Sequence, residues 1–365
     1  MKYNLAFKYR IYPNKEQELL INKTFGCVRF IYNTILYTAN KIYEETGKNK
    51  IITPASLKSE NQFLKEVDSL ALSNAQLNVK RSFTNFFQKR AKFPKFKSKK
   101  KSVKSYTTNC VNNSIRIEEN KYLVLPKLKK VKLKYHREIP KDYKIKSVTL
   151  TNSNGNYYVS ILTEFEKEIQ KVVSKDKVIG LDFSMSELFV SSENQRADYP
   201  RYFRMLEKKL KKLQKSLSRK VKFSKNWYKQ KMKISKLHEY IKNCRRDFLH
   251  KLSKKLSETY NAVVVEDLNM RGMRQALNFG KSIGDNGWGM FLRMVEYKLM
   301  FLGKQFLKID KRFPSSKTCS KCGNVKEELK LSERSYKCEC CGIEIDRDYN
   351  AALNIKNIGK AMLEY

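Results

Sequence analysis

The chain has 365 residues, with 77 Lys and Arg against 36 Asp and Glu, a formal charge of +41, and 41% hydrophobic residues. That length and apolar content suffice for two or three packed domains. A charge this large far exceeds the magnitude of roughly 2–8 that serves the solubility of a small domain, so it points to a polyanionic partner, nucleic acid first among them. No apolar run approaches the roughly 20 residues of a membrane-spanning helix, and MKYNLAFKYRIYPNKEQ lacks the apolar stretch and cleavage site of an export signal.

Residues 3–11, YNLAFKYRI, alternate and predict a strand that stops before Pro13. From Asn14 to about Glu45 the spacing predicts a helix, with Leu19, Leu20, Thr24, Val28 and Ile31 on one stripe, and further helix is expected from Ser56 to Arg90. KRAKFPKFKSKKKSVK, residues 89–104, then holds nine Lys or Arg and no acid. A linker can be this basic, but cations interleaved with Phe93 and Phe96 suit phosphate contact with base stacking better. Lys92, Lys95, Lys97, Lys99 and Lys100 are the candidate contacts.

Between Ser114 and Phe165 the runs SIRI, YLVL, VKLKY, IKSVTLTN and YYVSILTEF predict short strands, the last two joined by a hairpin at Asn154-Gly155. With the first strand they predict a small barrel, interrupted by the helical residues 14–95.

An α/β pattern begins near Lys171. KVIGLDF predicts an apolar strand ending in Asp182, and SELFVSSEN the next one. Residues 204–260 read as a long helical hairpin, with Leu206, Leu210, Leu213 and Leu217 striping one arm and Ile234, Leu237, Ile241 and Phe248 the other. The hairpin carries 20 Lys or Arg against four acids. The stripes are ordinary core packing; the basic face is the unusual part, and Arg245 and Arg246 are candidate nucleic-acid contacts. NAVVVEDL and FLKIDKRF are further buried strands, the first again ending in acid at Glu266.

Five of the eight cysteines fall between Cys319 and Cys341. Cys319 and Cys322 form one CxxC knuckle and Cys338 and Cys341 another, each followed by glycine, which is the spacing of a closed, structural four-thiolate zinc site. Cys340 is the odd one inside the second knuckle. Cys27, Cys110 and Cys244 lie singly and are expected to act as small buried apolar groups.

A lone acid at a strand end is more often a cap or a surface charge than a catalyst. Asp182 and Glu266, however, end strands of one parallel-type sheet, where carboxylates meet in one crevice. Asp348 is expected to open the helix DYNAALNIKNIGKAML just after the second knuckle. Three acids converging in so basic a chain suit Mg²⁺ rather than a salt-bridge network, and with three histidines in all, histidine-based metal chemistry or a serine triad has little to work with.

GLDFSMSELFV, VVVEDLNMRGM, KIDKRFPSSKTCSKCG and CGIEIDRDYNAALNI resemble, in this order, the RuvC-like nuclease motifs of transposon-encoded TnpB/OrfB proteins, relatives of type V CRISPR effectors. The likeness extends to RIYPNKEQ, KFPKFKSKKK and RRDFLHKLS. It implies an α/β plus α+β multidomain protein: a wedge-like β-barrel (residues 1–13 and 96–170), a helical recognition lobe (14–95), and an RNase H-like RuvC nuclease domain (171–365) with a zinc ribbon at about 314–345. It implies Mg²⁺, two ions by the family's chemistry, held by Asp182, Glu266 and Asp348, with Arg334 near the scissile phosphate and Asn350 of the D-x-N unit helping to orient the site. The implied partners are a guide RNA from the transposon end and double-stranded DNA with a short adjacent motif, with no membrane, in the cytoplasm of a bacterial or archaeal cell. Ser184 stands where many relatives have glycine. The rival expectations are an RNA-guided repressor that does not cut and a strand-transferring transposase.

Overall fold

A computed structural model describes residues 1–48, 50–100, 102–172, 174, 176–276, 280–330 and 332–363. They form two compact units, Met1–Glu168 and Ile169–Tyr365.

The first unit opens on strand β1 (Lys2–Tyr12) and helix α1 (Lys15–Thr46). The Asn-Lys-Glu-Gln run explains where the helix starts: Asn14 accepts from the Gln17 N–H and Gln17 reaches back to the Asn14 N–H, satisfying two otherwise orphaned donors. Gly47, at φ 66°, ends it in a left-handed cap. Thr24, Val28 and Ile31 of the expected stripe are buried, whereas Leu19 is 61% exposed. The helix expected from Ser56 to Arg90 is broken into a single turn α2 (Pro54–Leu57), a 3-10 turn at Gln62–Lys65, and α3 (Ser69–Phe87). Asp68 interrupts it by capping α3 through the Leu70 N–H.

Six strands follow: β2 (Lys104–Asn109), β3 (Arg116–Glu118), β4 (Tyr122–Leu125), β5 (Lys129–Lys134), β6 (Lys144–Ser153) and β7 (Asn156–Glu166). With β1 they make one antiparallel sheet in the order β2-β6-β7-β1-β5-β4-β3. Among the described residues no pairing joins β2 to β3, so the expected barrel is an open, half-barrel sheet. Asn154 and Gly155, both at positive φ, form the tight β6–β7 turn. Strand β2 begins at the end of the lysine tract, and its polar run KSYTTN, in which the buried positions are Tyr106 and Thr108, offered no apolar alternation. Phe7, Tyr9 and Ile11 of β1 share one buried core with Ile31 and Ile35 of α1 and Leu72 and Val79 of α3. Cys27 is buried as expected, while Cys110 is only half-buried.

The second unit is built on a four-stranded sheet in the order β11-β10-β8-β9: β8 (Val178–Ser184), β9 (Leu188–Ser191), β10 (Ala262–Glu266) and β11 (Gln305–Ile309). Strands β8, β10 and β11 run parallel and β9 antiparallel. Between β9 and β10 stand α4 (Tyr202–Ser218) and α5 (Lys225–Thr259), the expected hairpin, closed by Leu210, Leu237 and Ile241. Helices α6 (Met270–Ala276), α7 (Gly280–Asn286) and α8 (Trp288–Phe301) lead to β11, and α8 buries Trp288, Phe291 and Val295 against Leu249 of α5 and Ile179 of β8. The chain ends with a small ribbon, β12 (Ser335–Lys337) and β13 (Glu344–Asp346), and helix α9 (Arg347–Met362).

Two glycines set the seat of α9. A Cβ on Gly180 of β8 would collide with the backbone of Ala352 and Lys356, and one on Gly359 with Val264 of β10. Only glycine lets the helix lie this close to both strands.

Candidate active site and metal centre

The parallel register brings the acids of β8 and β10 together. Val265 pairs with Leu181, so the next residues, Glu266 and Asp182, are cross-strand neighbours on one face. Asp182 lies two residues before the strand's end rather than at it. Asp348 arrives from α9. Ala352 touches Gly180, and Asp348 is one turn earlier on the helix, about 6 Å, while Asp182 is two residues further along the strand, about 6.5 Å. Burial pushes the Asp182 carboxyl well above its ordinary range, and the charges of Asp348 and Glu266 push it further. Asp182 therefore lies within electrostatic reach of both other acids.

Burial also raises Glu266, against which the Ser315 hydroxyl donates at 2.6 Å to Oε1. Ser315 is 6% exposed. Asp348 is raised by burial and by Asp346, and lowered by the guanidinium groups of Arg334, Arg347 and Arg196. Arg334 is exposed, and its carbonyl accepts from the Arg347 N–H at 2.8 Å.

The helix starts one residue earlier than expected, at Arg347, and Asp346 caps it: its Oδ1 accepts from the Tyr349 N–H at 2.9 Å, and Oδ2 pairs with Arg196 at 3.2 Å. Arg196 also holds Glu187 at 2.6 Å. Asp346 is thus engaged by the helix start and by Arg196, and it is Asp348, in the first turn, whose charge acts on Asp182.

Asn350 does not reach the acids. It is fully buried, donates to the Thr318 carbonyl at 2.7 Å and accepts from the Ser320 N–H at 3.0 Å. One turn on, Asn354 donates to the carbonyls of Ser315 and Thr318 at 2.8 and 2.6 Å. These two side chains clamp the segment that carries both the Glu266 partner and Cys319 onto α9.

Cys319, Cys322, Cys338 and Cys341 have their sulfurs all within 4.8 Å of one another, and Cys340 is outside the group and exposed. The Cys319–Cys341 and Cys322–Cys338 sulfurs are 3.6 Å apart, close to the roughly 3.8 Å edge of a tetrahedron with metal–sulfur bonds of about 2.3 Å. The N–H groups of Cys341 and Cys340 bring the Cys338 thiol down. Four sulfurs this close have the donor chemistry of a closed soft-metal site. Tyr336, fully buried beneath them, donates to the Lys317 carbonyl at 3.2 Å and gives the ribbon its small core.

The expected nucleic-acid contacts divide. Lys92, Lys95, Lys99 and Lys100 are exposed, and Lys101 of the same tract lies outside the described residues. Lys97 is half-buried, its ammonium 3.9 Å from the centre of the Tyr32 ring and its pKa lowered by burial. Its backbone is held at both ends by Asn33, at 2.8 and 2.9 Å, which straps the tract to α1. Arg246 is exposed. Arg245 is not a surface contact: it turns inward to Asp285 at 3.0 Å and to Tyr199 at 3.3 Å. Asp285 also accepts from the Phe203 N–H at the start of α4. No sequence signal separated Arg245 from its neighbour, because its partner lies 40 residues away.

A mixed α/β unit thus carries acids from β8, β10 and α9, and a four-cysteine cluster clamped to the helix of the third. Comparison with known proteins gives its family. A family described as "Probable transposase" (OrfB of IS605 elements) matches residues 160–277, and "Cas12f1-like, TNB domain" matches residues 288–355. A third match, over residues 1–48, is described as a helix-turn-helix domain; here those residues form β1 and the single long helix α1. A protein of Streptomyces pristinaespiralis named "Putative RNA-guided DNA endonuclease" is 34% identical over 98% of this chain and 89% of its own. InsQ of Escherichia coli K12, with the same description, is 33% identical over 100% of this chain and 94% of its own. The chain belongs to the TnpB/OrfB family. Its fold resembles that in a structure of a Cas12f1–sgRNA–target DNA complex, with a TM-score of 0.62 at 15% identity, over 98% of this chain and 99% of that one.

Proposed function

We propose that this protein is an RNA-guided DNA endonuclease encoded by a transposable element, with a RuvC-like catalytic centre at Asp182, Glu266 and Asp348. The observation that carries the reading is the meeting of three carboxylates from β8, β10 and α9, each raised by burial, in a chain of formal charge +41. Buried acids that repel one another are held most favourably around a dication. Bound there, Mg²⁺ would neutralise the charge that develops on a phosphodiester as it is cleaved.

The residues of the chain have separable tasks. Ser315 fixes the orientation of Glu266, the Arg196–Asp346 pair sets the start of α9, and Arg334 offers an exposed cation to the phosphate. The cysteine quartet holds structural Zn²⁺ and, through Asn350 and Asn354, steadies the helix that presents Asp348. Residues 171–365 are read as the nuclease domain with its zinc ribbon, residues 14–95 as the recognition lobe, and residues 1–13 and 96–170 as the wedge. The exposed lysines of residues 92–100 and Arg246 are read as phosphate contacts. Guide pairing would choose the target sequence while the protein reads duplex shape and a short adjacent motif, in the cytoplasm. Among the described residues no helix is long and apolar enough to cross a membrane.

The test is to sequence the RNA that copurifies with the protein, transcribe it, and supply it with plasmids that match its variable end beside randomised flanks. Cutting that follows the guide and one flanking motif supports the reading. Matched binding without cutting would make the protein a repressor, and strand transfer at transposon ends after ribonuclease treatment would make it a transposase.

A further inference from the structure

The far end of the α4–α5 hairpin plays no part in the acid site, yet its composition is unusual. Residues 219–233 hold seven Lys or Arg and no acid. Among them Val221 is 79% exposed, Phe223 55% and Tyr228 48%. The rings of Phe223 and Trp227 are 5.6 Å apart and those of Trp227 and Tyr228 5.1 Å, with Lys222 over Phe223 and Lys231 over Trp227 at 5.5 and 4.9 Å.

These rings are not what holds the hairpin shut. Its core is Leu210, Leu237 and Ile241, and near the turn Gln230, 6% exposed, crosses from α5 to donate to the Leu213 carbonyl at 3.0 Å. Ser224 caps α5 by accepting from the Trp227 N–H. Phe223 moreover sits at φ 71°, a left-handed conformation that a bulky residue adopts at a cost and glycine would adopt freely. A turn selected for stability alone would not keep a ring there. Aromatic faces set among cations are the pattern that stacks unpaired bases while neutralising their phosphates.

We propose that this tip is a stacking platform for unpaired bases of the guide RNA, an inference that rests on the RNA-guided reading above. RNA is favoured over DNA because rings this exposed invite aggregation unless a lasting partner covers them. The guide stays bound through the working life of the protein, and target DNA is transient.

Ultraviolet irradiation of the full chain carrying its copurified RNA, followed by mass spectrometry, should find ribonucleotide adducts on Phe223, Trp227 or Tyr228. Replacing Phe223 and Tyr228 together by Ala should weaken binding of the same RNA about tenfold with the thermal midpoint and the salt slope unchanged. Lys222→Gln with Lys231→Gln should instead flatten the salt slope. Absence of adducts, adducts only to deoxynucleotides after target DNA is added, or unchanged affinity in the Phe223/Tyr228 variant would overturn the platform. Guided cutting by the same preparation tests the underlying reading separately: cutting without tip adducts removes the platform alone, and copurification of no RNA removes both.

Discussion

The Ser315 hydroxyl donates to a carboxylate that burial has already made reluctant to ionise, so it favours the charged form that a dication needs. Partners of this kind are worth about 10–100-fold in metal affinity or activity. Ser315→Ala is therefore expected to lower cleavage by about that factor and to raise the Mg²⁺ concentration for half-maximal rate, with RNA loading unchanged. Lys298 gives a second expectation at this scale. Burial lowers it from its ordinary 10.5 to about 8, although it donates to the His250 carbonyl and Ser253 hydroxyl. Between those two pH values the unfolded chain binds more protons than the folded one, so this group adds stability as pH rises through 8 and none is added below it. Urea midpoints at neutral pH and above pH 9 should show that rise relative to Lys298→Met, and parallel pH profiles of the two proteins would contradict it. The residue types were legible because acids at the ends of apolar runs and paired CxxC knuckles are local patterns. Ser315 and the inward turn of Arg245 were not, since each depends on a partner far along the chain.

At the scale of elements, α9 decides the site, and glycine decides α9. Gly180→Ala would place a methyl group against the backbone of Ala352, where no side chain can move aside, and overpacking of this kind costs about 1–3 kcal/mol. The expected outcome is a lowered urea midpoint together with loss of cleavage; an unchanged midpoint would mean the helix is not seated as described. Cys322→Ser should release the zinc that elemental analysis is expected to find at one per chain. Hydrogen exchange should then quicken at the start of α9, because the Asn350 and Asn354 clamp holds the same segment as Cys319. Periodicity announced β1, α1, the hairpin and the apolar strands. It could not announce the break at Asp68, which is a capping choice, nor β2, whose run KSYTTN has one apolar side chain and so no apolar alternation to read. The D-x-N pattern placed Asn350 near the acids, but tertiary packing gives it to the ribbon instead.

For the whole molecule, the excess of cations is spread over both units, and a chain that neutralises many phosphates should lose RNA affinity steeply as salt rises. A binding constant that barely changes between low and high salt would separate the charge from the function. One of two neighbouring aspartates completes the acid cluster. Asp346 is committed to the Tyr349 N–H and to Arg196, whereas Asp348 acts on Asp182. Guided DNA cleavage by Asp348→Ala and Asp346→Ala, at matched RNA loading, tests this most directly. The account predicts that the Asp348 variant binds guide and target but does not cut, and that the Asp346 variant still cuts, with a loss of about 1 kcal/mol in stability from the missing cap. Robust cutting by the Asp348 variant, or equal and complete loss in both, would contradict it.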